Sequence, residues 1–75
     1  MISCFISEDT YQNIRQSPWF TEDLIRDARN RRREVGKSKA LADFRNYFLA
    51  LLGPNTIQAT AFAVVLMSYT DELEQ

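Results

Sequence analysis

Glycine and proline cut this chain into four pieces, and those cuts constrain its fold more than any other feature. The two prolines and two glycines fall at Pro18, Gly36 and the adjacent pair Gly53-Pro54. Proline removes a backbone donor and disfavours helix in the residue before it, and glycine just past a helical pattern ends the helix. Each interruption is followed by a helix-start signal. Ser7 precedes Glu8 and Asp9, Thr21 precedes Glu22 and Asp23, Ser38 follows Gly36, and Asn55-Thr56 follows Gly53-Pro54. Ser, Thr and Asn side chains cap the free N–H groups of a first turn, and acidic residues suit the positive end of the helix dipole. The spacing predicts helices over about 8–16, 22–35, 39–52 and 56–73. The fold class is therefore all-α, a small three- to four-helix bundle.

Apolar periodicity supports the same division. In 22–35, Leu24, Ile25, Ala28 and Val35 form a narrow stripe. In 39–52, Leu41, Phe44, Tyr47, Phe48, Leu51 and Leu52 recur at three- and four-residue intervals, a broad apolar face. In 56–73, Ile57, Ala61, Phe62, Val64, Val65, Leu66 and Met67 leave almost no polar side. A helix of that kind is buried at the centre of a fold or between subunits. Ile6 before Ser7 with Tyr11 after it, and Phe20 with Ile25, have the spacing of hydrophobic staples. Residues 1–6 alternate in a way that allows either a short N-terminal strand or an extension of the first helix.

Size limits the rest. A chain of 75 residues is one domain, spanning 1–75. A domain this small usually needs disulfides, a metal, very good helix packing or a partner. Cys4 is the single cysteine and histidine is absent, so an intrachain disulfide is excluded and a zinc site lacks ligands. No metal or cofactor is expected. Helix packing or oligomerisation must supply the stability, and the 45% hydrophobic content points to a homo-oligomer such as a homodimer. No apolar run approaches the length of about 20 residues that a membrane span needs, and no basic region precedes the apolar start as a secretory signal requires. With a lone thiol, which suits a reducing compartment, these features predict a cytoplasmic protein of the producing cell or infected host.

The net charge is −1, but its distribution is uneven. Seven of the nine basic residues lie between Arg26 and Lys39, where only Asp27 and Glu34 are acidic, giving that segment +5. Arg26, Arg29, Arg32, Arg33, Lys37 and Lys39 are the candidate binding residues for a protein partner or a nucleic acid. Clustered arginines match phosphate geometry and release counterions on a polyanion. The competing reading is a solvated face, with Glu22 and Asp27 placed to pair with Arg26 and Arg31 along the helix. The acidic ends of the chain could also fold back and neutralise the segment. Trp19 and Phe20 are candidate interface anchors or plugs for the end of the core.

Other motifs fail on inspection. Gly36-Lys37-Ser38 looks like the end of a phosphate loop, but the earlier glycine is replaced by Arg31 and no strand precedes it. Phe48 to Phe62 has helix-turn-helix spacing, but its second helix would offer Thr56, Gln58 and Thr60 without a cation. Catalysis lacks its commonest acid-base group, and a domain of this size has little room for a substrate pocket. The sequence thus predicts a non-catalytic protein-interaction or regulatory protein acting as an oligomer. Adaptors and inhibitors encoded by phages and mobile elements have this size and composition. The alternative is a transcriptional regulator that binds nucleic acid through an arginine-rich helix over 26–39.

Overall fold

The computed structural model describes residues 6–74. They form four helices and, among the described residues, no strand. These are α1 (Glu8–Arg15), α2 (Glu22–Val35), α3 (Lys37–Leu52) and α4 (Thr56–Leu73). The expected strand or helix extension at residues 1–6 lies outside the described residues, apart from Ile6, which is a bend.

Three helices start as their caps predict. The Ser7 hydroxyl accepts from the Thr10 N–H at 3.2 Å, Thr21 from Leu24 at 3.1 Å, and the Asn55 side chain from Gln58 at 3.1 Å. The start of α3 differs from the expectation. It begins at Lys37, not Lys39, and Ser38 lies inside it rather than capping it. The reason is Gly36, which takes φ 88°, ψ 161°, a region open to almost no other residue. This one residue closes α2, with its N–H on the Arg32 carbonyl at 2.9 Å, and opens α3, with its carbonyl accepting from Ala40 at 3.0 Å. No length is left for a separate cap.

α4 is the centre of the fold. Each of the other three helices packs on it, α2 and α3 also pack on each other, and α1 packs on α4 alone. The strongly apolar sequence of α4 is thereby accounted for within one chain, with Ala59, Phe62, Ala63, Val65, Leu66, Met67 and Thr70 all buried. Fully buried Ala28 and Ala40 join Ala59 and Ala63 in keeping the helices close. One end of the core is aromatic. Phe48 is fully buried, its ring 5.2 Å from that of Phe62 and 6.1 Å from that of Phe20.

Two apolar expectations need correction. Tyr47 and Leu51, counted on the apolar face of α3, are exposed, and Ala40 with half-buried Leu49 takes their place against the core. The face that meets α4 is therefore rotated from the one the largest side chains suggest. Ile57, counted with the apolar sequence of α4, is 83% exposed, and its first-turn neighbours Thr56 and Gln58 are exposed too.

Candidate functional site

The basic segment is not one helix. Gly36 breaks it, leaving Arg26, Arg29, Arg31, Arg32 and Arg33 on α2 and moving Lys37 and Lys39 to α3. The pairings expected along the helix also change. Arg26 meets Asp23 at 3.0 Å rather than Glu22, and Arg31 meets Asp43 of α3 at 2.8 Å rather than Asp27. The C-terminal acids do fold back. Asp71 sits between Arg32 and Lys37, 2.5 Å from each, and Glu74 between Arg29 at 3.4 Å and Arg33 at 3.5 Å. Lys39 reaches Asp43 at 3.5 Å. Every cation of the segment thus has a carboxylate, and four acids from outside it, Asp23, Asp43, Asp71 and Glu74, reduce its net charge from +5 to +1.

Arg32 is held most deeply. Besides Asp71, it donates to the Thr70 hydroxyl at 3.0 Å, and that buried hydroxyl donates to the Met67 carbonyl at 2.7 Å. The electrostatics follow the geometry. Burial pushes the Asp71 carboxyl up, but hydrogen bonds from Lys37 and Arg32 outweigh it and hold the group below the usual carboxylate range. The Arg31 hydrogen bond does the same for Asp43, and Arg29 for Glu74. A shallow groove of about 300 Å³ between α2 and α4 carries Arg26, Arg29 and Arg33 with Ile25 and Tyr69, and the Glu74 carboxylate already engages two of its arginines.

A second clamp joins α1 to α4. Burial and the Glu72 carboxylate push the Tyr11 hydroxyl up to about 12, with the hydroxyl donating to Glu72 Oε2 at 2.9 Å. The Arg15 guanidinium lies 3.9 Å from the Tyr69 ring centroid and 6.0 Å from that of Tyr11, a cation–π arrangement.

The two aromatic candidates part company. Phe20 is half-buried in the Phe48–Phe62 cluster, so it plugs the core, whereas Trp19 beside it is 45% exposed. Sequence reasoning missed a different surface. Between the middle of α3 and the first half of α4, an open groove of about 390 Å³ is lined by Ile6, Ile57, Ala61 and Val64, with Arg45 and Thr60 among its polar members. Two signals pointed there. Ile57 falls in a first helical turn directly after Gly53-Pro54, and Arg45 is the one cation of α3 outside the basic run.

Among the described residues no group of three or more Cys, Asp or Glu side chains could hold a metal, and no helix is long and apolar enough to cross a membrane. No protein family matches the sequence, and neither the curated proteins nor the solved structures yield a significant match.

Proposed function

We propose that this chain is a non-catalytic protein-binding module, of the adaptor or inhibitor type, which docks through apolar side chains of the groove between α3 and the first half of α4 rather than through the arginines of residues 26–39. One observation carries the reading. The cations of residues 26–39 are matched by the chain's own acids, while Ile57 is left 83% exposed beside an apolar groove. Scattered apolar residues on a surface are ordinary, but a large one projecting at the rim of an apolar concavity is what a docking site needs. The proposal includes action in the cytoplasm, as a regulator.

An affinity pull-down from the native host, with half of the sample treated with nuclease, tests it. A protein that survives nuclease and is lost with Ile57→Asp supports the reading. Capture that nuclease abolishes, with steep loss in added salt, supports the nucleic-acid alternative instead, because phosphate contacts release counterions. Replacing Arg29, Arg32 and Arg33 by alanine would then abolish binding. Homo-oligomerisation belongs to the same proposal, although α4 no longer argues for it, since three helices of its own chain cover that helix. Sedimentation equilibrium at micromolar concentration reads it directly, and a monomer removes it.

A further inference from the structure

The chain has nine cationic side chains. Seven pair with carboxylates, and Arg15 stacks on Tyr69. Arg45 stands apart. Its Nε donates to the Thr60 hydroxyl at 3.0 Å, and among the described residues no carboxylate lies within ion-pair distance of it. A guanidinium is a fork of several donors, and the Thr60 contact uses only one edge. Arg45 also borders the groove between α3 and the first half of α4, whose lining among the described residues contains no acid. The apolar wall is regular. Ile57, Ala61 and Val64 are spaced i, i+4, i+7 on α4, one helix face.

We propose that this groove binds an acidic amphipathic segment of a partner protein, which seats a large apolar side chain against Ile57, Ala61 and Val64 and pairs a carboxylate with Arg45. The inference deepens the proposed function and rests on it. Charge complementarity selects the occupant. Among its described residues the groove supplies a cation and no anion, so its complement supplies an anion beside an apolar group. A second copy of this patch is a poor complement, because the described lining offers no carboxylate for Arg45 to pair with. The chain's own C-terminal acids are already bound at α2 and α3. An arginine–carboxylate contact formed as a groove closes over it is charge-assisted and directional, and an amphipathic helix laid in an apolar groove is a common docking mode.

The test is a selection of displayed random peptides on the whole chain. Enriched peptides are expected to place Asp or Glu three or four residues from a large apolar residue. Synthetic versions should bind Arg45→Gln, Arg45→Glu and Ile57→Asp more weakly by about tenfold or more, the scale of losing one side of a charged contact. Arg45→Gln keeps a side-chain amide for Thr60, and circular dichroism confirms that each variant stays helical. Selection on Arg45→Glu should yield Lys or Arg where the first selection gave acids. Peptides with no acidic preference, or with equal affinity for Arg45→Glu, overturn this inference and leave a protein-docking function standing. Failure to enrich any peptide also counts against the groove, while the nuclease-treated pull-down judges the broader reading separately.

Discussion

Gly36 does the work of a whole loop with one residue. Among the described residues nothing lies within 4 Å of where a Cβ would sit, so the obstacle to any other residue is φ 88° and not space. Gly36→Ala is therefore expected to cost about 1–2 kcal/mol, the strain of that conformation less the entropy removed from the unfolded chain. Thermal denaturation should show it, since each kcal/mol moves Tm by about 4–8 °C in a domain of this size. Tyr11 makes a second prediction. Its hydroxyl is held neutral, from an ordinary value of 10.0 up to about 12. A pKa raised in the folded state adds stability that is complete below pH 10 and is lost as pH climbs toward 12. Tyr11→Phe should lose about 0.5–1.5 kcal/mol at neutral pH, the range of one hydrogen bond. It should also flatten that alkaline decline, and the difference in ultraviolet titration between the two proteins should place the missing phenol near pH 12.

At the scale of the helices, α2, α3 and α4 are fastened by Asp71, which takes one cation from each of the two neighbouring helices. Its carboxyl is held below 3.8, so its contribution is present above that pH and disappears as pH falls through the lowered value. Asp43 and Glu74 act in the same direction. Asp71→Asn should remove about 1 kcal/mol at pH 7, a figure kept small because the group is partly exposed and screened. The variant should also show a shallower fall of the urea midpoint between pH 5 and 2, and an unchanged acid limb would refute the clamp.

The helices themselves were legible in the sequence because their caps and breaks are local events. Ser7, Thr21 and Asn55 needed only their own neighbours to act. The pairing of Arg29, Arg32 and Lys37 with acids some 34 to 45 positions away was open only as an alternative, because it depends on how α4 crosses α2. The groove at Arg45 was marked only by the place of Ile57 in a first turn and of Arg45 outside the basic run, since spacing alone groups Ile57 with Val64 on an apolar helix and does not reveal that Ile57 is left exposed.

Across the whole molecule stability is uneven. Among the four helices α1 packs only on α4, where Tyr11, Ile14 and Arg15 hold it, so it can leave without separating the other three. Such units open at lower free energy than the core. Amides of α1 should exchange with solvent on the order of 10- to 100-fold faster than those of Val65 to Thr70, a gap of about 1.4 kcal/mol per factor of ten. Equal protection in both would mean that α1 and α4 open as one body. The placing of α4 has a further consequence, in time rather than space. The helix that the other three surround is the last of the four to be synthesised. On the ribosome, α1, α2 and α3 emerge with the faces that meet α4 bare, and at roughly 5–20 residues per second the 18 residues of α4 take about one to four seconds to follow. A nascent chain arrested at Gly53 should be cut freely by protease, and one extended far enough to clear Leu73 from the exit tunnel should resist it. If that holds, exposure to chaperones and proteases during synthesis is expected to follow the order of the elements more than the stability of the finished bundle.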